Sequence, residues 1–486
     1  MIQSNDSGFV LAGTESTFGA GIHDMYLVKT DRSGNLLWTK TYGGLGSSVG
    51  NSIATNSSGD YLIAGYTTGF GTGNEDIYLV NTDSSGTLRW SKCIGGTDYE
   101  RARTCVAISD GSYAVAGYTR SVATGFQDAY LCKINNSGNV IWNKTYSSGA
   151  NYFDIFNSIH QTNDGGFVLI GSSTSCGGCS PDVMLIKTDS GGTPQWARTY
   201  DGGVYDIGTF IKQTNDNGYI ITGITNGPNY PATDVCVIKT DSTGDVEWAK
   251  SYGDTMSDEG YWIEQTMDGG FIITGRTQVS GGGSFDVYLL KTDMNGDVAW
   301  SGAFGSSNID YGYSVKQTAD NGYMVAGVCQ FTDYDMYLVK TDSSGHSGCN
   351  ERTVNTLTTV FQTSAIPFVP IISSGLTDTP AGTVPSNGGI QITYCNSTGE
   401  NEITIAEEYI SISPNPAKGI INIESKFILN GTLSIYNSAG KNIYETVLIN
   451  QGSTQVHTQN FNSGIYFVVV AAENVRSCRK VVIGLD

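Results

Sequence analysis

Residues 158–200 read SIHQTNDGGFVLIGSSTSCGGCSPDVMLIKTDSGGTPQWARTY. Turn signals break this stretch into four short segments. SIHQT comes first, and the Asp and Gly of TNDGG accept the positive φ that a tight hairpin needs. GFVLIGSST follows, then a Gly/Ser loop, DVMLIKT, a TDSGG turn and PQWARTY. Helical periodicity is absent. The two middle segments are apolar on both alternating faces, whereas a sheet covered on one face alternates apolar with polar. Such strands must lie in a sheet sandwiched between neighbours.

The third segment recurs. YLVKTD stands at 26–31 and again at 337–342. Between these copies lie YLVNTD (78–83), YLCKIN (130–135), MLIKTD (184–189), CVIKTD (236–241) and YLLKTD (288–293). Trp38, Trp90, Trp142, Trp196, Trp248 and Trp300 follow the first six copies, and Cys349 takes the seventh place. Gly13, Gly65, Gly117, Gly171, Gly223, Gly275 and Gly327 keep the same beat. A fixed period of this length signals a propeller, solenoid or array. Four-stranded sheets stacked around an axis are propeller blades. The expected fold is therefore all-β: a seven-bladed β-propeller over 1–349, followed by a small C-terminal β-sandwich. The tryptophans would wedge between blades, and YLVKTD would recur because every blade buries the same third strand. A linear β-solenoid is the alternative, though its coils use shorter repeats. The pattern resembles quinoprotein-type and related bacterial propeller repeats over about 1–349. The resemblance is architectural: no calcium ligands or aspartate base of the quinoprotein dehydrogenases match residue by residue. Lacking its tryptophan, the seventh blade is expected to take its outer strand from 350–361, within a Ser/Thr/Pro-rich linker spanning 350–406.

A formal net charge of −20 and a pI near 4.5 disfavour nucleic-acid and anionic-membrane partners. No apolar run reaches the ~18 residues of a membrane span. The opening MIQSNDSGFV aligns with IHQTNDGGFV (159–168), so the N-terminus is expected to be truncated, which would explain the missing signal peptide. Ten cysteines permit disulfides. Cys93 with Cys105, Cys349 with Cys395, and Cys176 with Cys179 are the candidate pairs. Cys132 and Cys236 stand at core positions. Zinc normally requires four ligands, and the SCGGC motif has no second CxxC.

From Tyr409 the repeat is gone. YISISPNPAKGIINIES, GTLSIYNSAGKNIYE, NFNSGIYFVVV and RKVVI alternate β-formers with turn residues, as a small β-sandwich does. Residues 407–486 resemble the C-terminal sorting domain of type IX secretion in Bacteroidetes. The marks are Pro414-Asn415-Pro416, the IYNSAGK run (435–441), Gly464 and Tyr466 of SGIY before a valine run, and Arg479-Lys480 before the last strand. The resemblance implies partnership with the type IX machinery and an extracellular or outer-membrane surface location.

Four histidines, His23, His160, His346 and His457, share no repeat position, and GSSVG at 46–50 lacks the strand–turn–helix context of a nucleophile elbow. The strand C aspartates, Asp24 through Asp335, recur in all seven repeats and read as caps on loop amides. The acids before strand A are more suggestive. Glu100, Asp154, Asp206, Asp258 and Asp310 lie four residues ahead of its expected start and would converge on one mouth of the channel. Adjacent carboxylates ~8 Å apart would repel by about 2 kcal/mol at an effective dielectric near 20. Either turn capping or a ligand or cation must offset that. No cofactor follows with certainty; calcium is the cation such oxygens favour. Tyr99, Tyr152, Phe153, Tyr205, Tyr261, Trp262 and Tyr311 lie close by and suit sugar stacking. The expected function is a non-enzymatic surface module binding a glycan or protein. The alternatives are a glycan lyase or hydrolase using channel-mouth carboxylates, and a structural surface protein without a small ligand.

Overall fold

The computed structural model describes residues 1–348 except 18, 124–125, 175–179, 204, 227–231, 279–283 and 331–333. Beyond these it describes 351–354, 356–360, 363, 365–367, 371–373, 377–380, 384–386, 410–414, 419–437, 441–472 and 475–483. Two compact units separate: Met1–Asn35 with Thr41–Pro385, and Leu36–Lys40 with Ser386–Asp486. The described residues form no helix.

The first unit holds seven consecutive antiparallel sheets. Their first strands, here strand A, are Ile2–Gln3, Ser48–Thr55, Glu100–Ala107, Asp154–Gln161, Asp206–Gln213, Asp258–Gln265 and Asp310–Gln317. In the fourth sheet strands B, C and D follow as Phe167–Ser173, Asp182–Thr188 and Pro194–Tyr200. Strands B and C of that sheet are buried throughout, as their two apolar faces require. From the second sheet on, a bulge interrupts strand A after its third residue, as at Phe156/Ser158 and Gly260/Trp262. The arrangement is propeller-like.

Side chains reach from each sheet to the next. A Cβ on the turn glycines Gly138, Gly192, Gly244, Gly296 and Gly345 would fall 2.5–2.9 Å from the rings of Trp90, Trp142, Trp196, Trp248 and Trp300. The tryptophans thus wedge against the following sheet, although they are partly exposed. The largest fully buried side chains are instead mostly tyrosines. Tyr146, Tyr200 and Tyr252 donate their hydroxyls to the carbonyls of Gly192, Gly244 and Gly296, 2.6–2.7 Å away. Gln213, Gln265 and Gln317 accept from the amides of Asn163, Asn215 and Met267 in the sheet before.

The YLVKTD strand is more than apolar filling. Its buried lysine crosses back to the A–B turn: Lys29, Lys187, Lys239 and Lys291 pair with Asp6, Asp164, Asp216 and Asp268 at 2.8–2.9 Å. Each also donates to the carbonyl of the next threonine. The closing aspartate caps the C–D turn, as Asp189 does for the amides of Gly191 and Thr193. Where the second repeat has Asn81, its amide bonds Tyr61 O, and Arg89 pairs with Asp60.

Two expectations are corrected here. Residues 351–360 do not complete the seventh sheet, which has three strands among the described residues. Glu351–Thr353 pairs instead with the outer strand of the sixth sheet and Leu357–Val360 with that of the fifth. Ala365–Pro367, Ile371–Ser373 and Thr377–Pro380 follow on the fourth, third and second. Val384–Ser386 joins the outer strand of the first, so the segment read as a linker runs backwards past six sheets and supplies each with a fifth strand. Open outer edges present unpaired amides and carbonyls, and this segment satisfies them. Secondly, Cys93 and Cys105 are separate buried thiols. Cys93 lies on strand D of the second sheet and Cys105 on strand A of the third, with its amide bonded to Ser52 Oγ. Cys132 and Cys236 are buried as expected. Cys176, Cys179, Cys349 and Cys395 lie outside the described residues.

In the second unit, Ile410–Ser413, Ile420–Asn437, Asn442–His457, Gly464–Ala472 and Val475–Ile483 form one antiparallel sheet. Bulges between Glu424 and Gly431 let both halves of the long hairpin feed one core, including Ile421, Ile423, Leu433 and Ile435.

Candidate functional site

The five acids singled out in the sequence are the first residues of strand A, which begins four residues earlier than its hydrophobic pattern indicated. All are at most 2% exposed. Each folds back onto a loop amide: Gly96 N to Glu100, Ser148 N to Asp154, Gly202 N to Asp206, Asp254 N to Asp258 and Ser306 N to Asp310, at 2.7–3.1 Å. With its extra methylene, Glu100 also takes Thr119 Oγ1 and Ser121 N.

Each of these acids also meets the strand C aspartate of the sheet before it. A Cβ on Gly253 would fall 2.3 Å from Asp234 Oδ1 and 2.8 Å from Asp258 Oδ2; on Gly305 it would fall 2.6 Å from both Asp286 Oδ1 and Asp310 Oδ2. Every seam between sheets three and seven therefore carries an aspartate pair. Burial, helped by the neighbouring Asp254 and Asp234 charges, pushes Asp258 up to about 7. Burial also raises Asp234 and Asp310 to about 6 each, and lifts Asp154, Asp206 and Asp286. The sixth–seventh seam receives a cation of its own. Arg352, on the returning strand, donates to Asp286 Oδ2 at 2.7 Å and to Ser306 O at 2.8 Å.

The sheets differ most at the second and fourth residues of strand A. In the sixth and seventh, the Arg276 guanidinium lies 4.2 Å from the Phe285 ring centre and 4.9 Å from that of Tyr311. It pairs with Glu259, whose other oxygen accepts Tyr261 Oη at 2.6 Å. Tyr261 stacks on Tyr313 with centroids 5.5 Å apart, and Tyr313 is half-exposed. In the third sheet the same register carries Arg101 and Arg103, and Arg120 follows strand B. Arg101 pairs with Glu75 and lies 4.2 Å over Tyr66. Arg103 and Arg120 lie over Tyr118 and Tyr99 at 6.0 and 5.3 Å, exposed, with no carboxylate partner among the described residues.

Deeper along strand A, Glu264 is gripped by Lys212 and Lys316 from the strands on either side. Burial alone would raise this carboxyl, but the two lysines outweigh it and hold it below its usual range. Trp262 stacks on Phe210 at 3.8 Å and points its Nε1 at Glu264. Burial and the same lysines lower His160 to about 4, so it is neutral near pH 7.

Of the aromatics expected near the site, Tyr261 and Tyr311 come together with Tyr313, while Phe153 stacks on Phe126 elsewhere. Arg103, Arg276, Tyr313 and the Lys212–Glu264–Lys316 clasp were missed. Their signal is visible once the strands A are aligned: the residue before the shared Gln is His160, Lys212, Glu264 or Lys316. In the second unit, Gly464 and Tyr466 lie on one strand, and Tyr466 Oη bonds Asn462 O at 2.9 Å. Arg479 and Lys480 lie on the last strand, opposite Val468 and Phe467. Pro414 follows the first strand, and Asn415 and Pro416 lie outside the described residues.

A search of curated protein sequences returned no match. Similar solved structures include a fungal alcohol oxidase of the AA5 family in complex with copper (10% identity, 99% of this chain and 96% of that one, TM-score 0.28). Sqt1 from Chaetomium thermophilum gives 10% identity, 71% and 83% coverage and a TM-score of 0.37. A GH43_12 protein retrieved from a capybara gut metagenome gives 9%, 90%, 88% and 0.25. Likeness at these scores says nothing about activity. Residues 411–484 match the secretion system C-terminal sorting domain, which implies export by the type IX route to the cell surface or extracellular space.

Proposed function

We propose that this protein is an exported, non-enzymatic binding module: a closed seven-bladed propeller that holds an anionic saccharide at the strand A ends. The single observation that carries the reading is the pair Arg103 and Arg120. In a chain of net charge −20 they lie exposed over tyrosine rings with no carboxylate partner among the described residues. Arginine forks suit carboxylate or sulfate groups. Half-exposed Tyr313, stacked on Tyr261, offers an apolar face to a sugar ring. Ring closure is supported by the first and seventh sheets, where a Cβ on Gly13 would fall 2.5 Å from Met336 Cε.

The test is a glycan array of uronate-bearing, sulfated and neutral polysaccharides probed with the full chain. Acidic glycans should bind, with affinity falling on added salt. Arg103→Ala with Arg120→Ala should abolish that binding and Tyr313→Ala should weaken it. Binding to neutral glycans alone, or a blank, would overturn the reading. Depolymerised products in the binding mixture would favour the lyase or hydrolase alternative.

A further inference from the structure

The seam between the fourth and fifth sheets differs from its counterparts. Immediately after the strand D aromatic or aliphatic residue, other repeats have Gly43, Gly95, Ser147, Gly253 and Gly305, whereas the fourth has Asp201. The backbone there faces the seam's carboxylates: a Cβ on Gly43, Gly95, Gly253 or Gly305 would fall 1.6, 1.8, 2.3 or 2.6 Å from the strand C aspartate of its own sheet. A side chain at this position must therefore enter the carboxylate pair or turn aside from it. Asp201 joins it. Asp182, Asp201 and Asp206 each offer a carboxylate oxygen within 4.8 Å of the other two.

Two further observations point to a cation. Asp206 is 2% exposed, and while its Oδ2 accepts the Gly202 amide, its Oδ1, like that of Asp258 and Asp310 at the two later seams, accepts no hydrogen bond among the described residues; here a third carboxylate adds to it. A buried carboxylate oxygen without a donor is costly unless something positive meets it. At the sixth–seventh seam the same pair, Asp286 and Asp310, is met by the Arg352 guanidinium. No ion pair reaches Asp201 or Asp206 among the described residues.

We propose that Asp182, Asp201 and Asp206 bind a divalent cation, with calcium preferred, which takes at this seam the place Arg352 takes two seams further on. The donor set is all oxygen, without the sulfur or imidazole that zinc selects. Calcium accepts irregular sets of six to eight oxygens and can draw the rest from water and loop carbonyls. Magnesium demands near-ideal octahedral geometry. The cation would tie the third and first strands of successive sheets together. This inference does not depend on the saccharide reading.

The test uses the full chain stripped with EDTA and titrated with calcium by calorimetry, with thermal melting in parallel. One saturable site is expected, with the melting temperature rising as it fills. Asp201→Gly restores the residue four other repeats carry, so the fold should tolerate it. That variant should bind calcium roughly tenfold or more weakly, since affinity of such sites follows ligand charge. It should lose the thermal shift while melting no lower than the parent in EDTA. Absence of saturable binding up to about 10 mM calcium, beyond the range of extracellular calcium modules, would overturn the proposal. So would unchanged affinity in Asp201→Gly. Magnesium binding as tightly as calcium would overturn the stated preference.

Discussion

The fifth–sixth and sixth–seventh seams are built from the same backbone and the same carboxylate pair, yet they are held differently. At the first, Asp234 and Asp258 have no arginine between them among the described residues, and Tyr252 reaches across to Gly296 O at 2.6 Å. At the second, the residue equivalent to Tyr252 is Phe304, which has no hydroxyl, and Arg352 supplies a guanidinium to Asp286. Charge follows the difference: Asp258 rises to about 7 and Asp310 to about 6, with Arg352 pulling the latter down. A repeat thus transmits its buried acids to every seam, while what compensates them is local. At one seam it comes from a strand outside the repeat.

The largest expected effect comes from removing that strand's charge. Arg352→Gln leaves Asp286 buried without its cation, and should cost about 3 kcal/mol, the low end for a broken buried pair because Arg352 is one-third exposed. Urea unfolding of the variant measures it; a loss below about 0.5 kcal/mol would mean the guanidinium compensates nothing.

The next effect is a pH dependence concentrated at the arginine-free seam. A carboxyl whose folded pKa is raised lends stability that is full below its unfolded value, near 3.9, and lost as pH rises through the folded value. For Asp258, faced by Asp234 and Asp254, that window runs from about 4 to about 7. Stability should therefore fall by about 2 kcal/mol from pH 5 to pH 8. Asp258→Asn should flatten the profile more than Asp310→Asn does. Melting curves at both pH values check this, and equal flattening would erase the distinction between the seams.

The smallest effect tests the latch. Tyr252→Phe makes the fifth–sixth seam resemble its neighbour and orphans the Gly296 carbonyl, at about 1 kcal/mol. Unchanged unfolding would show that the hydroxyl contributes nothing to holding the sheets.

Much of the fold is legible in the residues themselves. The turns at TNDGG and TDSGG, the two-faced apolar strands and the recurring tryptophan all express local rules, in which turn chemistry and side-chain alternation act within a dozen residues. The lysine of YLVKTD was visible but not its partner, because Asp164 lies in the A–B turn, 23 residues before Lys187. The acids before strand A were also visible. Their burial was not, since a carboxylate at a strand end reads the same whether it faces a solvent-filled mouth or folds onto a loop amide.

The sequence by itself determined that sheets of one kind would repeat, which segments would be their strands, and that the final segment would carry a sorting domain. Tertiary structure alone decided that 351–380 would edge the earlier sheets in reverse order, that Arg352 would reach Asp286, 66 residues away, and that Asp201 would complete a cluster with Asp182 and Asp206. The physical reason is range. Hydrophobic period and turn preference act between near neighbours, whereas the partner of a buried charge depends on which strands the whole chain has brought side by side.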